Sequence, residues 1–107
     1  MLALIYCPFP SLESAREASV GLLEARLVAC CNLLPVSESL YWWEGKLAAN
    51  PETVLLAKTT PELSGHVRAW IEASHPYETP AILSFSAEAN ADFAAWVSAS
   101  TKEIAPA

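Results

Sequence analysis

The chain has 107 residues, with 12 acidic and 6 basic side chains and a formal net charge of −6 at pH 7. This is the size of one domain, and the charge excludes binding modes that neutralise phosphates with clustered Lys and Arg, as on nucleic acids or anionic membranes. Hydrophobic residues make up 53% and charged residues 17%, against about 25% charged in typical soluble domains. The chain therefore has few charged residues to cover the surface of a small monomer, and we expect an oligomer that buries apolar surface.

The cysteine pattern favours a reducing compartment. There are three cysteines, and two of them, Cys30 and Cys31, are adjacent, which does not build a disulfide framework. The opening apolar run Leu2–Cys7 has no basic leader and is too short for a signal peptide, and no run approaches the ~20 residues of a membrane span. We therefore expect a cytoplasmic protein.

The first half of the chain predicts a strand, a helix and a long bent strand. The apolar run from Leu2 to Cys7 predicts a buried strand that the following prolines end. Ser11 is the predicted N-cap of a helix that reaches Val28. A second strand begins at Ala29, bends over residues 36–39 and continues to Leu47, before a turn at Asn50-Pro51.

The second half predicts two strands and two helices. A third strand covers 53–59, and Thr60-Pro61-Glu62 is a strong start for a helix that ends near Ser74. Residues 75–80 form a loop held by two prolines, 81–86 a fourth strand, and 91–103 a last helix.

The order of these elements is β-α-β-β-α-β-α, in which a βαβ unit occurs twice. Two such halves with right-handed crossovers predict an α+β fold, the ferredoxin-like split βαβ sandwich, with sheet order 4-1-3-2 and an extra C-terminal helix. We expect one such domain over 1–107. The second strand is longer than a typical strand, so its overhang needs a partner; if the same chain supplies none, pairing with another subunit would avoid an exposed edge.

This topology predicts which chemically active residues are neighbours. Cys7 ends strand 1 beside the loop that enters strand 4, so its natural partner is His75. Glu52, Glu44 and Lys46 are expected at the same end of the sheet, and the vicinal cysteines at the opposite end. A thiolate and an imidazole suit copper or zinc, with Glu44, Glu52, Glu78, water or a neighbouring subunit as a third ligand.

Other interpretations of these residues stay open. Cys7 can be a small core residue and His75 a hydrogen-bonded loop anchor. A nucleophile–base pair of the two is conceivable, but no phosphate-binding or serine-hydrolase motif is present in the sequence, and we expect no enzyme. The aromatic run Tyr41-Trp42-Trp43 is typical of a core or an interface.

Several segments resemble the CutA family of divalent-cation tolerance proteins. The resemblance covers nearly the whole chain, and its two most specific motifs are Tyr-Trp-Trp-Glu-Gly-Lys and His-Pro-Tyr-Glu-Thr-Pro. The segments that carry it are residues 24–32, 39–46, 52–60, 74–80 and 93–97.

The resemblance implies a cytoplasmic homotrimer linked to copper tolerance and to divalent-cation binding. Carried over to this chain, the metal ligands are Cys7 and His75. Two positions depart from the family pattern: Ser74 stands where some members have a second histidine, and Ala81 stands where many have an acid. Both departures reduce the ligands available to a metal ion.

Trimers of this fold also resemble the nitrogen-regulatory PII proteins, which bind small effectors in clefts between subunits. An alternative function is therefore a signalling or scaffold trimer, whose cleft would use Tyr41, Trp43, Lys58, His75 and Tyr77. A purely structural role of these motifs at the trimer interface is a third. The residues assigned to the cleft and interface are Tyr41, Trp42, Trp43, Glu44, Lys46, Glu52, Lys58 and Tyr77.

Overall fold

The computed structural model describes residues 1–103, apart from the side chain of Val36. It contains one four-stranded antiparallel sheet in the order β2-β3-β1-β4, which confirms the predicted ferredoxin-like order 4-1-3-2. No helix in this part of the chain is long and apolar enough to span a membrane. The elements are β1 (Leu2–Phe9), α1 (Leu12–Glu24), β2 (Cys30–Trp43), β3 (Lys46–Thr59), α2 (Ser64–Ser74), β4 (Leu83–Ala87) and α3 (Ala91–Ser100).

The main core lies between one face of the sheet and helices α1 and α2. Side chains alternate along a strand, so Ile5, Cys7 and Phe9 of β1 share this face, and all three are buried against residues of both helices. From α1 the core receives Leu22, and from α2 it receives Ile71. Each helix thus contributes apolar side chains from the face that it turns to the sheet.

Helix α3 packs on a separate, smaller cluster. Leu2, the first residue of β1, contacts a group that contains Val97 and the half-buried Phe93 of α3. Two hydrogen bonds also hold the end of this helix to the loop after α1: Lys102 N–H donates to the carbonyl of Arg26 (2.9 Å), and the Arg26 guanidinium donates to the carbonyl of Ser100 (3.4 Å). The predicted additional C-terminal helix therefore packs at the end of the sheet where β1 begins.

The predicted turn at Asn50-Pro51 is wrong. The chain reverses at Glu44-Gly45, where both residues have positive φ angles of 49° and 79°, as a tight two-residue hairpin turn requires. Asn50 and Pro51 lie within β3 and pair with Ser39 and Glu38. Pro51 is tolerated because β1 pairs with β3 only from Thr53 onward, so the strand there has a partner on one side only.

The outer part of this hairpin, residues 37–52, extends beyond the rest of the sheet, and we call it the hairpin arm. It begins at an irregularity in register between Leu34 and Ser37, which confirms the predicted bend. The overhang of β2 pairs with β3 of the same chain, so one of its edges has a partner within the chain, and pairing with another subunit stays a prediction. The arm exposes five large hydrophobic side chains: Leu40, Tyr41, Trp42, Trp43 and Leu47.

Several element ends also differ from prediction. Helix α1 ends at Glu24 rather than Val28, because Arg26 adopts a left-handed conformation with φ of 59°. Pro8 lies inside β1, and β4 begins at Leu83.

Ser11 caps α1 as predicted, with its side chain accepting a hydrogen bond from the Ser14 amide. The predicted start at Thr60-Pro61 is confirmed, but its first turn is a 3₁₀ helix. The predicted end of the last helix at Glu103 is corrected to Ser100.

Candidate functional site: a cleft beside Glu52 and Tyr77

His75 fastens the loop after α2 to the end of β1. Its Nε2 lies 2.9 Å from the carbonyl oxygen of Pro8, and its Nδ1 accepts a hydrogen bond from the Tyr77 amide at 3.0 Å. Since a carbonyl accepts and an amide donates, the ring is neutral with its proton on Nε2. Burial lowers the pKa of His75, although the Pro8 carbonyl and Glu52 act in the opposite direction.

The same imidazole packs between two aromatic rings. Its ring centroid is 4.3 Å from that of Phe9 and 4.9 Å from that of Tyr77. Phe9 is itself buried in the main core, so His75 connects the loop to the core as well as to β1. The loop that carries His75 lies beside β1, as the topology predicts. The contacts with Phe9 and Tyr77 hold the imidazole ring in one orientation.

Cys7 is fully buried on the core face of β1. Burial, with a smaller contribution from the negative charge of Glu52, raises the pKa of its thiol to about 12. At neutral pH the group is therefore a protonated thiol, which is a poor nucleophile and must lose its proton to bind a metal. Its Sγ lies 3.7 Å from the Pro8 carbonyl oxygen that also bonds His75.

Glu52 is the carboxylate at which the arm and the loop meet. Its Oε2 accepts a hydrogen bond from the Tyr77 hydroxyl at 2.6 Å, and its Oε1 accepts one from the Ser39 hydroxyl. Burial, followed by the contact with Glu52, raises the pKa of Tyr77 above its ordinary range. The phenol is therefore neutral at physiological pH and acts as a fixed donor to the carboxylate.

A cleft of about 870 Å³ opens beside this carboxylate. One wall is the hairpin arm, with Ser39, Tyr41, Trp43 and Glu52, and the other is the loop 76–81, with Tyr77 and Glu78. The Tyr41 hydroxyl accepts a hydrogen bond from the Asn50 side chain, which fixes its ring on the arm. The volume is in the range of small-molecule sites.

Only some of the residues assigned to the cleft and interface come together. Tyr41, Trp43, Glu52 and Tyr77 line the cleft, whereas Trp42 does not. The other assigned residues lie away from this carboxylate: Glu44 and Lys46 are at the tip of the arm, and Lys58 pairs with Cys30 towards the other end of β3.

Two residues of the cleft were missed by sequence reasoning. Ser39 and Asn50 face each other across the hairpin, and each holds one of the cleft's functional side chains. Their pairing follows directly once Glu44-Gly45 is taken as the turn, and Gly45 is the signal for it. Placing the turn at Asn50-Pro51 concealed the pair.

The described residues 1–103 contain no group of three or more His, Cys, Asp or Glu side chains placed to hold a metal ion. Cys7 and His75 are near the same carbonyl but do not face an open position together, since both ring nitrogens of His75 are hydrogen-bonded. A metal ion at this pair would therefore need a further ligand from water or from another subunit.

The fold and the cleft place the chain in a class of small ferredoxin-like proteins with an extended hairpin, and comparison identifies the family. The profile of the CutA1 divalent ion tolerance protein family matches residues 3–100. The chain belongs to this family. It is 35% identical over 103 residues to the divalent-cation tolerance protein CutA of Pyrococcus horikoshii, covering 95% of this chain and 100% of that protein.

Solved structures agree with this assignment. The divalent ion tolerance protein CutA1 from Ehrlichia chaffeensis is 38% identical, with a TM-score of 0.91 over 95% of this chain and 96% of that one. The protein described as the periplasmic divalent cation tolerance protein CutA from Archaeoglobus fulgidus is 37% identical, with a TM-score of 0.91 over 95% and 100%.

Proposed function

We propose that this protein acts in tolerance of divalent cations by binding metal ions, copper first among them, with Cys7 and His75 as ligands. Membership of the CutA1 divalent ion tolerance family supports the tolerance function. The observation that carries the site is the hydrogen bond between His75 Nε2 and the Pro8 carbonyl, because it holds the imidazole beside the residue that follows Cys7. Thiolate and imidazole are ligands that copper and zinc favour.

Metal binding at this pair requires a local change. His75 must release either Pro8 or the Tyr77 amide to present a nitrogen, and Cys7 must lose a proton whose pKa is about 12. Both steps oppose binding, so the affinity should depend strongly on pH and on the mobility of the loop. Glu52, whose charge already acts on Cys7 and His75, is a candidate for an additional ligand.

The test is calorimetric titration of the reduced protein with Zn(II), and with Cu(II) under anaerobic conditions, using four variants. We expect saturable binding near one ion per chain, lost in Cys7→Ala and His75→Ala. Cys30→Ala and His66→Ala are matched controls, because Cys30 begins β2 opposite Lys58, away from Cys7, and His66 is exposed on α2. Binding that survives Cys7→Ala and His75→Ala, or that is lost only with Cys30, would reject this site.

We further propose that the protein is a homotrimer. The support is the apolar surface of the hairpin arm, where Leu40 is 74% exposed, Trp42 71% and Leu47 75% in the single chain. An isolated monomer rarely leaves such a surface in water. Light scattering should give the mass of three chains, and replacement of Trp42 and Leu47 by Glu should give a monomer.

We also propose a cytoplasmic location and no catalytic activity. The three free cysteines support a reducing compartment, while the description of the Archaeoglobus relative names that protein periplasmic. The buried, protonated thiol of Cys7 and the fully hydrogen-bonded ring of His75 support the second proposal, since neither can act as a nucleophile or base without rearrangement. Fractionation of cells, with retention in the soluble fraction, tests the location.

The cleft favours a second function, binding of a small effector in the manner of the PII proteins. The observation behind it is a cavity of about 870 Å³ between two structural elements, lined by aromatic and hydrogen-bonding side chains. Lys58 and His75 do not line this cleft, so the cleft differs in two residues from the set that the resemblance implies. A mixed library of anionic, neutral and cationic compounds, monitored by amide NMR shifts of Tyr77 and Trp43, tests this function.

A further inference from the structure

The charge of the cleft restricts what it can bind. Its lining includes two carboxylates, Glu52 and Glu78, and neither a lysine nor an arginine among the described residues. Phosphates, nucleotides and carboxylic acids would therefore bring negative charge next to negative charge without a basic side chain to neutralise it. A positively charged ligand, by contrast, would be attracted by both carboxylates of the lining.

Glu52 is organised in advance to receive such a charge. The Ser39 hydroxyl and the Tyr77 hydroxyl each donate to a different oxygen of the carboxylate, and these two hydrogen bonds fix the plane of the group. Each carboxylate oxygen has a second acceptor site. The group can therefore bind a further donor without giving up either hydroxyl, and it does not need to reorganise when a ligand arrives.

Three aromatic rings border the same cavity. Tyr41 and Trp43 belong to the arm, and Tyr77 to the loop. Two of these rings are held by their hydroxyl groups, Tyr41 by Asn50 and Tyr77 by Glu52. Aromatic faces attract cations through the ring quadrupole, and grouped aromatic rings are a known means of recognising quaternary ammonium groups.

Size separates an organic cation from a bare metal ion. The cavity measures about 870 Å³, which is much larger than one ion and within the range for small organic ligands. Its walls also offer more aromatic surface than a metal ion requires, because metal sites use converging oxygen, nitrogen or sulfur ligands. The combination of ring faces and a single fixed carboxylate is better matched to an ammonium group on a carbon frame.

We infer that the cleft between the hairpin arm and loop 76–81 binds an organic ammonium cation, with Glu52 as its counter-ion and Tyr41, Trp43 and Tyr77 as its aromatic walls. This inference rests on the effector-binding function proposed above and names the chemical class of the effector. It is independent of Cys7, because that thiol is buried in the core and does not line the cleft.

The experiment compares probes of different charge, of which one cationic and one neutral probe have similar size. The protein, in the presence of a chelator that removes metal ions, is titrated with tetramethylammonium, with 1,4-diaminobutane, with the neutral tert-butanol and with inorganic phosphate, using calorimetry and amide NMR. We expect saturable binding of the two ammonium probes with dissociation constants of roughly 10 mM or lower. Tert-butanol should bind at least about tenfold more weakly than tetramethylammonium.

Two variants identify the counter-ion. Glu52→Gln should weaken binding of both ammonium probes by about tenfold or more, since it removes the charge at nearly constant shape. Glu38→Gln is the matched control: it makes the same charge change on the same hairpin, is exposed, and lies outside the cleft, so affinity should stay within about twofold. Equal losses of affinity in the two variants would show that the net negative charge of the protein, and not Glu52 in particular, attracts the probes. That result would overturn the assignment.

The outcomes also separate this inference from the function on which it rests. Binding of phosphate or of neutral compounds at the shifted amides of Tyr77 and Trp43, without binding of ammonium probes, would overturn the cationic assignment and leave the effector cleft in place. Absence of binding by every class, in the titrations and in the mixed library, would overturn both. Loss of ammonium binding in Cys7→Ala, with the fold intact by circular dichroism, would also count against the assigned cleft.

Discussion

If Cys7 ligates the metal as a thiolate, affinity for Zn(II) should rise steeply with pH. Protons and the metal ion compete for the sulfur, and the thiol pKa of about 12 lies well above neutral pH. Deprotonation at pH 7 then costs about 7 kcal/mol, at 1.36 kcal/mol for each pH unit. Below the thiol pKa each unit of pH lowers this cost by the same increment, so the dissociation constant should fall about tenfold per unit and about a hundredfold between pH 6.5 and 8.5.

His75 makes little contribution across this range. Burial lowers its pKa from the ordinary value, so protons compete with the metal ion for this ring less than they would in a free histidine. Below the pKa of His75 a second proton must leave, and the dependence on pH should steepen. The sign is the same for both groups, because each binds metal only in its deprotonated form.

Competition against a chelator with a known pH-dependent affinity measures the dissociation constant directly. Calorimetry in buffers of different ionisation enthalpy counts the protons released, and we expect about one per Zn(II) at pH 7.5. The Cys7→Ala variant is the control and should show neither the slope nor the proton release. A dissociation constant that changes less than about threefold over the range, or an unchanged slope in Cys7→Ala, would refute thiolate ligation.

Three further predictions concern packing and reactivity. Gly21→Ala should lower the free energy of unfolding by about 1–3 kcal/mol in urea titrations, because an added Cβ would lie 2.6 Å from a ring carbon of Trp70. Thr59→Val should cost about 1–3 kcal/mol, because the hydroxyl donates to the buried Leu27 carbonyl at 2.6 Å. Cys7 should react with iodoacetamide at least about a hundredfold more slowly in the native protein than in urea, since it is fully buried and its pKa is raised.

Each of these predictions has a control and an opposing result. Gly65→Ala adds a methyl whose nearest neighbour is 3.9 Å away, so stability should change by less than about 0.5 kcal/mol; an equal loss at both glycines would contradict the clash with Trp70. Thr59→Ser keeps the donor and should cost less than Thr59→Val. Native alkylation of Cys7 at the unfolded rate would contradict its burial.

The sheet order could be predicted because it depends on patterns that sequence displays well. Two βαβ units with right-handed crossovers leave few alternatives, and the apolar periodicity of the strands and helices is clear. The hairpin turn could not be placed in the same way. Asn50-Pro51 is a strong local turn signal, and only the one-sided pairing of β3 at that point makes Pro51 acceptable within a strand.

The candidate site shows the same division. The neighbourhood of β1 and the His75 loop follows from topology alone, and the aromatic motif is visible in the sequence. The contacts that define the cleft do not follow, because they join residues far apart in the chain: Tyr77 donates to Glu52 across the gap between the loop and the arm. The state of His75 also depends on a backbone carbonyl, that of Pro8, and no side-chain pattern specifies such a partner.

The positions of the strand pairings along the chain have a consequence for the order of folding. β2 and β3, of 14 residues each, are consecutive and joined by a two-residue turn, so their pairing closes only short loops and is fast. β4 joins β1 by pairing Leu2 with Ala87, which is the largest sequence separation among the three strand pairings. We therefore expect the hairpin to form in the transition state and β4 to be added last, so that the loop carrying His75 and Tyr77 reaches the hairpin arm only when folding is nearly complete.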